Sequence, residues 1–179
     1  MGIDPGVANT GFGVVRVAGS QMSAIDGGVI EGSGDELPER RLARIHASLD
    51  ELIGWHEPAA VALEDVYFGK NVRSAMGVGQ VRGAAMLAAA QRGIRCFGYT
   101  PQAVKMAVCG SGAAAKDQVQ RMVSSLLRLP EPPTSDHAAD ALAVAICHAS
   151  HAPPQRARAK LARPPAGVGG ALRTEAEAG

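Results

Sequence analysis

Residues 59–64 read Ala59-Ala60-Val61-Ala62-Leu63-Glu64, an unbroken apolar run that ends in an acid. A short run of this kind is typical of a strand that is covered on both faces, as the strands of parallel sheets are. Acidic residues are depleted in strands, so a glutamate at the end of a buried strand is more often functional than structural. The segment therefore predicts a buried sheet strand with a functional carboxylate at its carboxyl end.

The flanking sequence supplies the other elements of an α/β domain. Upstream, three β-rich segments precede an amphipathic helix, in which Leu42, Ile45 and Leu49 recur at helical spacing. One predicted strand ends at Asp4, and the other four cover 11–17, 22–30, 59–64 and 94–99. The predicted helices cover 38–55, 74–92, 101–108, 116–129 and 135–148. Three early strands followed by β-α-β units predict an α/β domain with a mixed sheet of about five strands flanked by helices.

The overall composition bounds the class of protein. The chain has 179 residues, of which 46% are hydrophobic and 20% are charged, and its net charge is only +1, so a uniformly basic nucleic-acid binder is not indicated. No apolar run reaches the roughly 18 residues of a membrane span, no signal peptide opens the chain, and the three cysteines lack paired spacing. These features favour a reduced, cytoplasmic protein.

The last part of the chain has a different composition. From residue 152 it contains Pro-Pro, Arg-Ala-Arg-Ala and Gly-Val-Gly-Gly segments without an apolar period, and five basic residues stand against two glutamates. We therefore predict one domain over residues 1–151 and a disordered basic tail over 152–179. Weak phosphate contact and a solvated tail without a role both remain open for it.

Four groups from distant parts of the sequence, Asp4, Glu64, His137 and Asp140, fall where a strand ends or a helix begins. A charged carboxylate at the end of a buried strand is costly unless a positive group compensates it, and a divalent cation is the strongest compensation. The pattern therefore indicates a metal-dependent phosphodiesterase. Turn chemistry is an equally good reading of the Asp4 segment alone, and Asp136 can either cap the last helix or share the face of Asp140.

At these residues the sequence resembles the RuvC family of Holliday-junction resolvases, which belongs to the RNase H-like superfamily. The matching motifs are Gly-Ile-Asp-Pro-Gly at 2–6, Leu-Glu at 63–64, Lys-Asn at 70–71, Gly-Gln-Val-Arg-Gly at 79–83, Val-Lys at 104–105 and Ala-Ala-Asp-Ala-Leu-Ala at 138–143. They cover residues 1 to about 150 in order. Members of the family generally have a few more apolar residues before Gly2, so we expect a short first strand.

The resemblance implies that Asp4, Glu64, His137 and Asp140 are catalytic metal ligands. It implies a cofactor of two divalent ions, Mg²⁺ or Mn²⁺, and the imidazole at position 137 favours manganese somewhat. Asp136 is the alternative to His137. We hypothesise that Asp4 bridges both ions, Glu64 holds one, and Asp140 with His137 holds the other, as in two-metal phosphoryl displacement.

The expected partner is four-way junction DNA. Tyr67 and Phe68 stand together in a loop, where aromatic side chains can stack on unpaired bases, and the resemblance assigns an aromatic wedge to this position. Packing of the pair within its own loop is the alternative. The other expected DNA-binding residues are Lys70, Asn71, Arg73, Lys105 and Lys116.

The resemblance also implies the assembly and the reaction. We expect a homodimer, because a two-fold symmetric junction needs two matched incisions, acting beside a branch-migration complex of the same pathway and leaving 5′-phosphate and 3′-hydroxyl ends. Three other classes compete with this reading. They are an actin-like ATPase or sugar kinase, which needs a second duplicated domain, an RNase H-like nuclease acting on RNA, and a junction-binding module without catalysis.

Overall fold

A five-stranded mixed sheet forms the centre of the protein in a computed structural model, which describes residues 1–32, 36–65, 72–133 and 135–151. The strands are β1 (Gly2–Asp4), β2 (Asn9–Ala18), β3 (Gln21–Glu31), β4 (Val61–Glu64) and β5 (Cys96–Tyr99). They lie in the order β3-β2-β1-β4-β5. The first three pair antiparallel, whereas β1–β4 and β4–β5 are parallel. The predicted mixed sheet is confirmed.

Five described helices flank the sheet, and each lies close to its predicted position. They are α1 (Pro38–His56), α2 (Val72–Gln91), α3 (Pro101–Cys109), α4 (Lys116–Leu127) and α5 (Asp136–His151). The α3 start follows from local chemistry, since the Thr100 hydroxyl accepts from the Ala103 amide and Pro101 suits the first helical position. At its far end α5 continues three residues beyond the predicted His148.

Alternate residues of the central strands face two separate cores. Val61 and Leu63 of β4, with Ile3 of β1, pack in the core that includes residues of α1 and α2. Ala62 instead packs in the core built from α3, α4 and α5. Because side chains alternate across a strand, Asp4 and Glu64 lie on the opposite face from Ile3 and Leu63. The sheet therefore directs both acids toward the α3, α4 and α5 side.

Of the five described helices α5 is the most deeply buried, and every residue from Ala141 to Cys147 is buried. Its small and aliphatic residues let it lie between the sheet and the other helices of that side.

Several predicted features fall outside the residues that the structure describes. The tail at 152–179 lies outside the described residues, as do Tyr67, Phe68, Lys70 and Asn71, and the domain boundary at 151 stays a prediction. Within the described ranges, none of the helices combines the length and the apolar character that a membrane crossing requires.

Candidate active site

Strand pairing brings Asp4 and Glu64 to the same edge of the sheet. Gly2 pairs with Ala62 and Ile3 with Leu63 in the parallel β1–β4 ladder, so the next residue of each strand is an acid. The carboxyl ends of parallel strands meet at one edge, which is where ligands bind in open α/β sheets. Two carboxylates that are 60 positions apart in the sequence therefore become neighbours.

Glycines let the amino-terminal half of α5 approach this edge closely. A Cβ atom on Gly11 would collide with the carbonyl oxygen of His137, and one on Gly2 would collide with that of Ala141. The backbone of α5 thus lies almost directly on β1 and β2. Sequence reasoning missed this function of the glycines, although the small residues of β1, β2 and α5 were visible in the sequence.

This close packing brings the helix residues to the strand acids. The His137 Nδ1–H donates to Asp4 Oδ2 at 2.8 Å, which joins residues 133 positions apart. Asp140 lies one turn further along the same helix, and its charge acts on Glu64. The structure therefore brings together all four groups that the sequence singled out.

The ionisation of Glu64 and Asp140 reflects first their burial and then their neighbouring charges. Burial, followed by the negative charges of Asp4 and Asp140, raises the pKa of Glu64 to about 7, while Lys105 opposes the shift. Burial also raises the pKa of Asp140. The positive charge of Lys116 opposes this shift, and the negative charge of Asp4 adds to it. Clustered carboxylates that repel one another in this way are typical of sites that bind cations or catalyse reactions.

Two lysines accompany the acids. Lys116 Nζ lies 3.0 Å from Asp136 Oδ2 and 3.6 Å from Asp140 Oδ2, and the Gln120 amide donates to Asp136 at 2.6 Å. Asp136 is thus turned toward α4. Lys105 of α3 is half-buried and near enough to act on Glu64. Both predicted DNA-binding lysines therefore lie beside the acids.

The other predicted contacts are only partly described. Arg73 is exposed in the first turn of α2, next to the undescribed segment at 66–71. Asp65 follows Glu64, is partly exposed, and forms an ion pair with Arg82 at 2.8 Å.

The donor set suits a hard divalent cation. Asp4, Glu64 and Asp140 offer carboxylate oxygens and His137 offers a ring nitrogen, all of which such ions accept. With Asp4 bonded to His137 and Asp140 to Lys116, no three His, Cys, Asp or Glu side chains in the described ranges are placed to hold a metal. These side chains would have to rearrange before they could act together as ligands.

Comparison with solved structures defines the class of protein. The chain superimposes on the Thermus thermophilus RuvC structure with a TM-score of 0.78 and 40% identity, over 83% of this chain and 92% of that one. A structure of T. thermophilus RuvC in complex with Holliday junction substrate matches with a TM-score of 0.79 and 41% identity. The yeast mitochondrial Holliday junction resolvase shares the fold at 13% identity and a TM-score of 0.59. The fold is that of an RNase H-like nuclease.

The sequence comparisons identify the family. Its model, described as crossover junction endodeoxyribonuclease RuvC, matches residues 1–148. The relative from Pelotomaculum thermopropionicum is 50% identical over 151 residues, which cover 84% of this chain and 92% of the relative. The Moorella thermoacetica relative is 50% identical over 153 residues. The chain belongs to the RuvC family, a family of metal-dependent endonucleases.

Proposed function

We propose that this protein is a structure-selective endonuclease that resolves four-way DNA junctions by paired symmetrical nicks during recombination and repair. The observation that carries the proposal is the convergence of Asp4, Glu64, His137 and Asp140 at one sheet edge, in a chain that matches the RuvC family over residues 1–148. A relative at 41% identity is described in complex with a Holliday junction substrate. These findings together support DNA junctions as the substrate.

The four clustered residues would hold two Mg²⁺ or Mn²⁺ ions. Such ions, when bound, activate water and neutralise charge on the scissile phosphate. Glu64, whose pKa near 7 leaves it partly protonated in the metal-free protein, would ionise when a cation binds. His137 would release Asp4 in order to act as a ligand itself, and Asp136 would remain with Lys116 and Gln120 of α4.

Recognition of the junction would use cations and aromatic rings around these acids. Lys105 and Lys116, both adjacent to the acids, would contact backbone phosphates. Arg73, with Lys70 and Asn71 before it, would continue this basic surface, and Tyr67 with Phe68 would stack at the unpaired centre of the junction. Because DNA is the substrate, we place the enzyme in the cytoplasm, beside the branch-migration complex of its pathway.

One face of α2 supports a homodimer. Val72, Met76 and Leu87 are each more than half exposed on this helix, and they recur at spacings that place them on one face. On the same face a Cβ atom on Gly79 or Gly83 would meet nothing within 4 Å, so a second helix could approach the backbone there. A second copy of this chain is the occupant that a two-fold symmetric substrate requires.

The dimer is tested by placing a long charged side chain on that face. Gly83→Arg is expected to convert the dimer into a monomer in light scattering coupled to size exclusion, because the arginine would be buried without a partner. Ser125→Arg, on an exposed position of α4, is the matched control and should leave the mass unchanged. A Gly83→Arg protein that remains dimeric would contradict the α2 interface.

A nicking assay tests the proposed reaction. A synthetic mobile four-way junction incubated with Mg²⁺ or Mn²⁺ should yield paired symmetrical nicks with 5′-phosphate ends, and a chelator should abolish them, since the acids need cations to act on a phosphate. Linear duplex DNA and an RNA–DNA hybrid serve as competing substrates. Preferred cutting of the hybrid, or junction binding without nicks in either metal, would refute the proposed activity.

A further inference from the structure

Lys116 forms ion pairs with two acids of α5, Asp136 and Asp140. It is the first residue of α4, and its ammonium lies 3.0 Å from Asp136 and 3.6 Å from Asp140. The nearer partner is the exposed one, since the Asp136 side chain is 60% exposed and that of Asp140 is 34% exposed. Asp136 therefore anchors the lysine, while Asp140 receives its charge across a longer distance.

The contact with Asp140 competes with a metal ion. An ammonium and a divalent cation need the same negative charge, and the divalent ion carries twice the charge of the lysine. Exposed ion pairs contribute little net stability, and the Lys116 side chain is 55% exposed on a flexible stem. The lysine is thus held weakly enough to be displaced by an ion that the carboxylates bind.

The place that the lysine would move to is close by. The scissile phosphate would lie beside the acids that Lys116 already contacts. A DNA phosphate is a compact anion, which an ammonium group binds as a point charge. With Asp140 neutralised, Lys116 would keep Asp136 as its anchor and gain the phosphate as its second partner. The same lysine would thus have one partner before a cation binds and another afterwards.

We propose that Lys116 is an exchangeable counter-ion, which neutralises Asp140 in the metal-free protein and transfers to a DNA phosphate when a divalent cation binds the acids. This inference rests on the proposed nuclease function. It predicts a coupling of the two binding events, in which metal raises the affinity for the junction and the junction raises the affinity for metal. Such coupling must be equal in both directions.

Metal binding without DNA tests the first half of the exchange. Lys116→Gln is expected to bind Mn²⁺ about three- to tenfold more tightly than the wild type, measured by the EPR signal of free Mn²⁺, because a competing cation is removed. Arg121→Gln is the matched control, because Arg121 lies on the same helix, pairs with Asp117 at 3.0 Å, and carries the same charge. It should change Mn²⁺ affinity by less than about twofold, and Lys116→Arg should stay near the wild type.

Junction binding tests the second half. With Ca²⁺ as a non-cleaving ion, the wild type should bind the four-way junction more tightly than in chelator, and Lys116→Gln should lose most of that gain while Arg121→Gln keeps it. Unchanged or weaker Mn²⁺ binding by Lys116→Gln, or a full metal-dependent gain in that variant, would overturn the exchange. If the exchange is overturned but the wild type binds Mn²⁺ and nicks junctions, the proposed nuclease function still holds. A wild type that neither binds Mn²⁺ nor nicks junctions would contradict both proposals.

Discussion

Replacing Glu64 with glutamine is expected to abolish junction cutting and, in the metal-free protein, to stabilise the fold at neutral and alkaline pH. The two effects have one cause. The wild-type carboxylate is held in a half-buried place among other negative charges, which raises its pKa to about 7. Glutamine keeps nearly the same shape without the charge, so it removes both the repulsion and the proposed cation ligand.

The direction of the pH effect follows from linkage. The folded protein holds the Glu64 proton up to about pH 7, whereas the unfolded chain releases it near the ordinary glutamate pKa of 4.5. Between these values the folded state binds more protons, so the free energy of unfolding falls as pH rises and the full cost is present above about pH 7. Glu64→Gln should therefore match the wild type near pH 4.5 and exceed it by on the order of 1–3 kcal/mol at pH 8, after allowance for solvent screening.

The measurements separate the two effects. Chemical unfolding in chelator at pH 5 and pH 8 reports stability, and single-turnover nicking with Mn²⁺ reports activity, where we expect a loss of at least about 10³-fold with junction binding retained. Asp4→Asn should lose cutting to the same extent. Glu51→Gln, an exposed glutamate of α1, is the control for both assays. Cutting within about tenfold of the wild type, or a stability difference that does not grow with pH, would refute the role of Glu64.

The architecture could be predicted because local signals agreed with the tertiary fold. The apolar run at 59–64 and the helical spacing of Leu42, Ile45 and Leu49 both reflect burial in a sheet with helices on its faces. Element ends were predicted less well. Residues 59 and 60 precede β4 although they are apolar, because a hydrophobic pattern reports burial and does not report which residues join the hydrogen-bonded ladder.

The candidate site was predictable in its members and less so in its contacts. The three acids Asp4, Glu64 and Asp140 were singled out because charged carboxylates are costly at the ends of buried strands and in a closely packed helix. The role of His137 as a ligand was expected from the resemblance to the RuvC family. The ion pairs of Lys116 with Asp136 and Asp140 depend on how α4 packs against α5, and nothing in the local sequence of α4 encodes that geometry. Long-range side-chain pairing therefore required the three-dimensional structure.

The close contact between α5 and the sheet has the second large expected effect. Gly11→Ala should destabilise the protein by roughly 2–4 kcal/mol, because its Cβ would collide with the carbonyl oxygen of His137. The colliding atom belongs to the backbone, so a side-chain rotation cannot relieve the overlap and α5 itself would have to move. For a chain of this length that corresponds to a fall of roughly 5–15 °C in the midpoint of thermal unfolding. Displacing α5 also moves His137 and Asp140 away from Asp4, so cutting should fall even at temperatures where the variant is folded.

Gly27→Ala is the matched control for this change. Gly27 also lies in a strand beneath α5, but a Cβ there would meet the Leu142 side chain at an ordinary 3.6 Å, so stability and cutting should stay close to the wild type. Thermal unfolding and nicking of both variants, followed in parallel, distinguish a general intolerance of strand substitutions from a requirement for backbone contact at Gly11. If the two variants unfold within about 2 °C of each other, the close approach of α5 at Gly11 does not hold the catalytic helix in place. If only Gly11→Ala loses stability and cutting together, Gly11 is part of what assembles the four clustered groups.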